Sequence, residues 1–293
     1  MTISIALCTY NGEFFLTEQL KSISEQTRLP DELVVCDDRS SDRTLQILHE
    51  FAASAPFPVR IVLNESNLGS TKNFEKAISL CGGDIIALSD QDDVWLPYKL
   101  ARTEEEFKKS ASTGAVFTNA DVVDADLHPL GFSLWESESF GPPIRKAFEK
   151  GNPFLLLLRR NIVTGATMAF RSEFRNLVLP ISRYWIHDAW IALLICSAAK
   201  ISFIDEKLIL YRQHATNQIG TRMRDNETFL LEVEKAKTWG SEAIFRKAKI
   251  LSSVHKSGLK GFPLATCELA SGHYHRYSKG LKSYLRDLAG KSL

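Results

Sequence analysis

Short apolar runs alternate with longer helix-like segments over the first 118 residues. The apolar runs predict buried strands at Ile3–Cys8, Glu32–Cys36, Val59–Leu63, Asp84–Leu88 and Ala115–Thr118. The longer segments predict helices at Phe14–Gln26, Ser41–Phe51, Thr71–Leu80 and Lys99–Ser110. This alternation is typical of an α/β domain whose central sheet is mostly parallel and carries helices on both faces.

The pattern is less regular after residue 118. The stretch Leu127–Pro153 contains four of the ten prolines and is predicted to form long loops. Three elements are expected to follow: a strand-like segment at Val163–Phe170, a helix at Asp188–Ala199, and a strand or strand pair at Ile201–Tyr211.

Charge is distributed unevenly along the chain. The net charge is +1, but residues 221–293 carry 14 Lys/Arg and 7 Asp/Glu, a net of +7, which leaves −6 for residues 1–220. We expect one domain over residues 1–220, with halves at 1–118 and 119–220, and a basic helical extension over 221–293. The extension is either a solvated helical face or a segment that binds an anionic membrane surface.

The cysteines and the distribution of apolar residues indicate the cellular compartment of the protein. The five cysteines are an odd number and are predicted to be buried thiols in a reducing compartment. The start of the chain lacks the features of a secretory signal, and no run reaches the ~20 apolar residues that span a bilayer. We therefore expect a cytoplasmic protein, soluble or peripherally bound to a membrane.

Polar residues directly follow four of the predicted strands. They are Thr9–Asn11 after the first strand, Asp37 and Asp38 after the second, Asn64–Asn67 after the third and Ser89–Asp93 after the fourth. Ligands of parallel α/β sheets bind beyond the carboxyl ends of the strands. We expect the four clusters to converge at one edge of the sheet.

The strongest chemical signal is Asp90-Gln91-Asp92-Asp93. Three carboxylates in four residues repel one another at neutral pH, and a hard divalent cation with oxygen ligands removes that repulsion. Mg²⁺ or Mn²⁺ held by carboxylates and phosphate oxygens suits a nucleotide diphosphate. The alternative is an acidic turn without a ligand.

A nucleotide site is also indicated by residues after the first two strands. Tyr10 is placed to stack on a base, and Asp37 or Asp38 to accept a hydrogen bond from the base or ribose; helix capping is the other role for these carboxylates. No glycine-rich phosphate loop occurs, so phosphate binding falls to a metal and to basic side chains such as Lys72 and Arg212. Either cation is equally well explained by a surface salt bridge.

Two further candidates come late in the domain. Asp188 begins an apolar helix, where it is either a helix-terminal charge or the general base of a displacement reaction. His214 follows Tyr211-Arg212-Gln213 after an apolar run. It is either a structural histidine or a ligand of the diphosphate or metal.

These motifs, taken in order, resemble the inverting family 2 glycosyltransferases of the GT-A fold, a Rossmann-like nucleotide-sugar-binding fold. The Ser-Asp-Gln-Asp-Asp-Val-Trp and Tyr-Arg-Gln-His segments are most similar to bacterial rhamnosyltransferases and to O-antigen or capsule glycosyltransferases. The matching stretches lie within residues 1–220: Ile5–Asn11, Val35–Asp42, Asn67–Asn73, Ser89–Trp95, Asn161–Arg171 and His187–His214.

The resemblance implies a role for each matching residue. Asp188 is implied as the catalytic base, Asp92 and His214 as metal ligands, and Arg212 as a diphosphate ligand. The implied nucleotide-binding residues are Thr9, Tyr10, Asn11, Asp37, Asp38, Lys72 and Asp90. The implied contacts to donor or acceptor sugar are Gly165, Ala166, Thr167, Trp185 and His187. His187 departs from the acidic residue that often precedes the base, and Cys8 from a common proline.

The implied reaction moves a sugar from a nucleotide-diphosphate donor to a hydroxyl of a lipid-linked oligosaccharide at the cytoplasmic face of the inner membrane, with Mn²⁺ or Mg²⁺. In that reaction residues 1–118 form the nucleotide-binding half and 119–220 the acceptor-binding half. The first donor to consider is dTDP-L-rhamnose; UDP-glucose, UDP-galactose and UDP-GlcNAc are alternatives. Nucleic acid is not an expected partner. A nucleotidyltransferase and a non-catalytic carbohydrate-binding protein are the alternatives from other classes.

Overall fold

A computed structural model describes residues 1–151, 153–182, 185–215, 217 and 221. Apart from Leu158–Arg160, these residues belong to one compact unit. Most of the predicted basic extension, 222–293, lies outside the described residues. No described helix is long and apolar enough to cross a lipid bilayer.

Nine strands and nine helices make up the described part of the chain. The strands are β1 (Ile3–Thr9), β2 (Glu32–Asp37), β3 (Val59–Leu63), β4 (Ile85–Ser89), β5 (Val94–Trp95), β6 (Thr113–Val123), β7 (Pro129–Ser133), β8 (Met168–Arg171) and β9 (Lys200–Arg212). The helices are α1 (Leu16–Ser24), α2 (Thr44–Ala52), α3 (Ser70–Leu80), α4 (Lys99–Lys109), α5 (Leu134–Ser137), α6 (Pro142–Lys150), α7 (Pro153–Arg159), α8 (Arg175–Val178) and α9 (His187–Ala198).

All nine strands form one sheet in the order β3-β2-β1-β4-β8-β6-β9-β5, with β7 paired to β6. The pairs β3–β2, β2–β1 and β1–β4 are parallel, as is β6–β9. Strand β8 is antiparallel to both β4 and β6, so it joins the two parallel parts. The α/β prediction is confirmed, and the sheet is mixed where the sequence pattern becomes less regular.

The first half of the sheet folds as its apolar runs predict. Every residue of β1 and β4 is buried, because parallel strands covered on both faces need side chains that are apolar on both sides. In the register, Thr9 is level with Asp37, and Leu7 with Ser89. The polar residues that follow these strands therefore lie at the same edge of the sheet, as predicted.

The prediction of long loops over Leu127–Pro153 is wrong. The segment contains β7, α5, α6 and the start of α7. Helix α5 begins with a capping box, in which Ser133 Oγ accepts from the Glu136 N–H while the Glu136 carboxylate accepts from the Ser133 N–H. Helix α6 begins with Pro142 and Pro143, in the first turn, where a missing N–H leaves no hydrogen bond unmade. Here the prolines mark a helix start.

The strand predicted at Val163–Phe170 is shorter in the structure. A 3-10 turn occupies Gly165–Thr167, and β8 begins only at Met168. The segment Ile201–Tyr211 forms a single long strand, β9, which runs beside β6 and ends at Arg212. The C-terminal end of β9 and the turn before β8 both lie beside the acidic residues that follow β4.

Candidate functional site

A cavity of about 430 Å³ lies at the carboxyl ends of β1, β2 and β4. Its wall also includes the first turns of α3 and α9, residues 134 and 138 around α5, and residues 161 and 163–165. The predicted site residues that line it are Thr9, Tyr10, Asp38, Asp90, Asp92, Gly165, His187 and Asp188. Strand-end residues after β1, β2 and β4 thus share one cavity with the predicted base, whereas Asn64–Asn67 after β3 are not among the lining residues.

The two aspartates after β2 occupy different environments. Asp37 is fully buried and accepts hydrogen bonds from Thr9 Oγ1 (2.8 Å), the Ser40 N–H (2.8 Å) and Ser40 Oγ (2.6 Å). It is not among the cavity-lining residues, and its hydrogen bonds join the ends of β1 and β2. Asp38 does line the cavity, so of the pair it is the one that a ligand can contact.

Asp38 also shapes the loop that leads into α3. Its carboxylate accepts from the N–H groups of Leu68 (2.7 Å) and Gly69 (2.8 Å) and from Asn64 Nδ2 (2.8 Å). Gly69 has a φ of 77°, a conformation that favours glycine, and α3 begins at the next residue. Asp38 therefore does not cap α2; the N-cap residue of that helix is Arg43, which makes no side-chain capping hydrogen bond.

Tyr10 and Asn11 extend beyond the end of β1. Tyr10 is half exposed and lines the cavity, and its backbone N–H and C=O both bond to the Gln91 side chain, at 2.8 and 3.0 Å. This pair of bonds ties the end of β1 to the acidic loop after β4. Asn11 is exposed; its φ is 48° and its Oδ1 accepts from the Ser41 N–H at 2.8 Å.

The acidic loop after β4 holds its three carboxylates at different depths. Burial and, to a smaller extent, the neighbouring charges of Asp92 and Asp188 together raise the pKa of Asp90 to about 8. Burial also raises the pKa of Asp93, whose Oδ1 accepts from the Arg212 N–H at 3.0 Å. Buried Lys99 lies behind the loop, with Nζ 3.2 Å from the centre of the Trp95 ring.

Asp92 and His214 form the best pair of candidate metal ligands. Asp92 Oδ2 lies 2.9 Å from His214 Nε2, and Asn217 Nδ2 lies 3.2 Å from the same oxygen. Adjacent ligands on an octahedral ion with bonds of about 2.0–2.1 Å are about 3 Å apart. The separation of the carboxylate and the imidazole therefore fits two adjacent ligands of a divalent ion of the size of Mn²⁺ or Mg²⁺.

A second group of possible ligands lies on the β6–β7 hairpin. Asp124, Asp126 and His128 have ligand atoms within 4.8 Å of one another. Asp124 Oδ1 accepts from the N–H groups of Asp126 and His128, both at 2.9 Å, which are the hydrogen bonds of a tight turn. These residues are not among those that line the cavity.

Asp188 lies in the first turn of α9 with its carboxylate held by three donors. Oδ1 accepts from Asn161 Nδ2 (3.0 Å) and from the Ala189 N–H, and Oδ2 accepts from the Gly165 N–H (3.0 Å). Burial raises the pKa of Asp188 to about 6, although these hydrogen bonds oppose the increase. A pKa near 6 leaves the group ionised at neutral pH and able to accept a proton.

His187 packs beside Asp188 in a strongly desolvated position. Its ring stacks on Phe74, with centroids 4.0 Å apart, and neither ring nitrogen has a hydrogen-bond partner among the described residues. Burial lowers the pKa of His187 to about 3, so the ring is neutral near the base. A Cβ at position 165 would lie 2.5 Å from His187 Nε2, so this packing requires Gly165.

Three other predicted sugar-contact residues lie outside the cavity wall. Ala166 and Thr167 are buried, and Thr167 Oγ1 donates to the Thr164 C=O at 2.8 Å. Trp185 is also buried and packs edge-on against Trp190, with ring centroids 5.9 Å apart. Of the predicted sugar-contact set, Gly165 and His187 line the cavity.

The two predicted phosphate-binding cations are engaged elsewhere. Lys72 Nζ pairs with Glu75 at 2.6 Å and donates to the Ile181 C=O at 2.8 Å. Arg212 is 2% exposed and lies over the Phe15 ring. Its Nε donates to the Asp92 C=O at 2.7 Å, and its other nitrogens bond to the Ala125 C=O and to Glu18. Arg212 therefore holds the acidic loop from behind.

Several cavity residues were not singled out from the sequence. Asn161 falls in a stretch that resembles the family, but spacing alone assigns it no role. Glu138 falls in the segment predicted to be loops, and nothing in its pattern distinguishes it from a surface carboxylate. The other such lining residues include Ser70, Asn73, Thr164 and Asn217.

Comparison with known proteins gives a family match over most of the first 180 residues. The family model described as "Glycosyl transferase family 2" matches residues 4–177. The dTDP-rhamnosyl transferase RfbG of Shigella flexneri is 31% identical over 227 residues, which cover 74% of each chain. UDP-Glc:alpha-D-GlcNAc-diphosphoundecaprenol beta-1,3-glucosyltransferase WfgD of Escherichia coli is 35% identical over 98 residues, 33% of this chain and 38% of that protein.

Solved structures share the fold. The crystal structure of S. aureus TarS 1-349 in complex with UDP-GlcNAc aligns with a TM-score of 0.58 and 19% identity, over 83% of this chain and 66% of that one. At this identity the likeness shows the fold alone. The chain spans 66% and 74% of the length of two of the curated relatives that it matches.

The position of Arg212 gives a stability prediction. Arg212→Met should lower the free energy of unfolding by about 2–4 kcal/mol, because it leaves Glu18 and two backbone carbonyls without their buried partner. Lys72→Met, which breaks a partly exposed ion pair, should cost less than about 1 kcal/mol. Urea denaturation of the two variants measures both. If the two variants are equally stable and Arg212→Met weakens nucleotide binding, the result would instead support a direct role of Arg212 in phosphate binding.

Proposed function

The chain belongs to glycosyl transferase family 2, and on this basis we propose that it transfers a sugar from a nucleotide-diphosphate donor to a hydroxyl, with inversion at the anomeric carbon. The observation that carries the proposal is the shared cavity. It brings a candidate metal ligand, Asp92, and a separate carboxylate poised to accept a proton, Asp188, to the strand ends where α/β sheets bind nucleotides. Family membership favours sugar transfer over the nucleotidyltransferase and non-catalytic alternatives.

The charges of the cavity support a metal requirement. Five carboxylates line it, and its described wall contains no lysine or arginine; the carboxylates are those of Asp38, Asp90, Asp92, Glu138 and Asp188. A nucleotide diphosphate adds further negative charge, and bringing it next to buried carboxylates is costly without a cation. Asp92 and His214 would hold the divalent ion. When bound, the ion would offset charge on the departing diphosphate.

The protein side of the displacement centres on Asp188. Its carboxylate accepts the proton of the acceptor hydroxyl as that oxygen forms a bond to the anomeric carbon. The bond from the anomeric carbon to the diphosphate oxygen breaks at the same time, and the electron pair leaves with the nucleotide diphosphate. One displacement of this kind inverts the anomeric configuration. The Gly165 N–H, which donates to Oδ2, keeps the carboxylate oriented during the proton transfer.

Tyr10 and Asp38 are proposed to contact the nucleoside. Tyr10 is half exposed at the cavity wall, where an aromatic face can stack on a base, a contact worth roughly 1–3 kcal/mol in other systems. For the donor we propose dTDP-L-rhamnose first, supported by the likeness to the rhamnosyl transferase of Shigella. UDP-glucose, UDP-galactose and UDP-GlcNAc remain the alternatives; UDP-Glc is the donor in the name of the Escherichia relative.

The proposed acceptor is a lipid-linked saccharide, in keeping with the diphosphoundecaprenol acceptor in the name of the Escherichia relative. An acceptor of this kind is confined to a membrane surface. The net charge of +7 over residues 221–293 would attract that part of the chain to anionic lipids. We therefore propose peripheral association with the cytoplasmic face of the inner membrane, in bacterial surface-polysaccharide synthesis.

Measurements of metal binding can distinguish the candidate ligands Asp92 and His214 from the cluster Asp124, Asp126 and His128 on the β6–β7 hairpin. In calorimetric titrations with UDP or dTDP present, Asp92→Ala should weaken Mn²⁺ binding by more than the roughly 10–100-fold typical of losing an outer-sphere partner. Asp126→Ala, which removes a carboxylate of the hairpin cluster, should leave the affinity unchanged. Weaker Mn²⁺ binding in Asp126→Ala, with unchanged binding in Asp92→Ala, would indicate a metal site on the hairpin and contradict the assignment of Asp92.

The pH dependence of turnover follows from the raised pKa of Asp188. With saturating Mn²⁺ and the donor that binds, the rate of nucleotide diphosphate release should fall about tenfold per pH unit below about 6, because the protonated base cannot accept the acceptor's proton. Above that pH the rate should level off. Asp188→Asn should lower the rate by about 10²–10⁴-fold. A wild-type rate that is level from pH 5 to 7.5 would exclude Asp188 as the base.

Membrane association can be tested in the full chain by neutralising its C-terminal charges. Replacing five basic residues with Gln should reduce sedimentation with phosphatidylglycerol vesicles by at least about tenfold, since each basic residue contributes about 1 kcal/mol. The residues are Arg276, Lys279, Lys282, Arg286 and Lys291. The matched control replaces five exposed lysines of the domain: Lys21, Lys108, Lys109, Lys146 and Lys150. Equal loss in both variants would contradict a specific role for the extension.

A further inference from the structure

The environment of Asp188 contains a side-chain donor that nothing so far assigns. Asn161 Nδ2 donates to Asp188 Oδ1 at 3.0 Å, and Asn161 lies in the cavity wall beside the carboxylate. The other two donors to the carboxylate, Gly165 and Ala189, are backbone N–H groups. Asn161 is thus the one side-chain contact, among those described for this carboxylate, that a substitution can remove.

The amide of Asn161 is held in the orientation that makes this bond. Its Oδ1 accepts from the Val163 N–H at 3.2 Å, which leaves Nδ2 to face Asp188. A flipped amide would lose the Val163 bond and direct an oxygen towards the carboxylate. The segment 161–165 therefore supplies two donors to Asp188: the oriented Asn161 amide and the Gly165 N–H.

Glu138 acts on the same carboxylate in the opposite direction. It follows the last residue of α5 and lines the same cavity. Its negative charge adds to the effect of burial in raising the pKa of Asp188, whereas the Asn161 hydrogen bond lowers that pKa. One neighbour thus favours the ionised carboxylate and the other favours its protonated form.

We propose that Asn161 and Glu138 are opposed positioning residues for the base: Asn161 orients the Asp188 carboxylate and stabilises its ionised form, while Glu138 makes it more ready to take a proton. The inference rests on the proposed role of Asp188 in transfer. It adds a specific claim: two residues that do not themselves accept the proton adjust, in opposite directions, the pH range over which the base is ionised and reactive.

Other ionisable groups face this part of the cavity. Asp90 and Asp92 lie on the loop after β4, and Tyr211 lies on β9. Burial raises the pKa of Tyr211, so its phenol is protonated at working pH. His187, on the same helix as Asp188, is neutral because burial lowers its pKa to about 3. These residues all stay in place when Asn161 or Glu138 is replaced, so each substitution removes one neighbour of Asp188.

The test measures the Asp188 carboxyl directly and needs no substrate. The full chain is labelled with ¹³C at the aspartate side-chain carboxyls, and the Asp188 signal is identified by its loss in Asp188→Asn. Its titration is followed in the wild type, Asn161→Ala and Glu138→Gln. Thr164→Ala, which changes a cavity residue with no described bond to Asp188, and Glu173→Gln, which neutralises an exposed carboxylate, are the matched controls.

Asn161→Ala and Glu138→Gln should shift the titration midpoint of the Asp188 carboxyl in opposite directions. Asn161→Ala should raise it by about one pH unit, as expected for losing one hydrogen bond to a charged group. Glu138→Gln should lower it by roughly half a unit. The acid limb of the turnover rate should move with the midpoint in each variant, and the controls should not move it.

Each outcome bears on a separate claim. An unchanged or lowered midpoint in Asn161→Ala, or an unchanged or raised one in Glu138→Gln, would overturn the inference. If Asn161→Ala does not fold, Glu138→Gln alone decides. Opposite shifts in a protein that consumes none of the donors would leave the effect of the two neighbours on Asp188 intact, while contradicting the proposed transfer reaction.

Discussion

Repulsion among carboxylates is the interaction on which the site depends. Burial raises the pKa of Asp90, and the nearby charges of Asp92 and Asp188 add to the effect. A cluster of this kind is stable only if cations lie nearby or some groups are protonated. The chain supplies Arg212, whose Nε donates to the Asp92 C=O from behind the acidic loop. The cavity side is left to a ligand, and we propose that this ligand includes a divalent ion.

The fold brings these groups together through the direction of its strands. Because β1, β2 and β4 are parallel, the residues that follow them lie at one edge, where Gln91 bonds to the backbone of Tyr10. The second half of the chain then adds the remaining parts. The antiparallel strand β8 places the turn before it, with Gly165, against the start of α9, so that the backbone N–H of Gly165 reaches Asp188.

The sequence predicts the position of the strand-end residues, because polar residues that follow a buried apolar run lie at the carboxyl edge of a parallel sheet. It does not reveal the partners that depend on three-dimensional packing. Arg212 and Lys72 both carry the positive charge that phosphate binding requires. Arg212, however, bonds to Glu18 and to two backbone carbonyls. Lys72 pairs with Glu75 and donates to the Ile181 carbonyl. Glu138 lies in a segment whose prolines suggest loops, although Pro142 and Pro143 begin a helix.

The most direct test of the account is a crystal structure of Asp188→Asn with Mn²⁺ and the donor that the wild type consumes. We expect nucleotide density between Tyr10 and Asp38, a metal ion bound by Asp92, and the sugar on the side of the cavity formed by Gly165 and residue 188. A donor bound outside this cavity, or a diphosphate bound within it without a metal ion, would contradict the central claim.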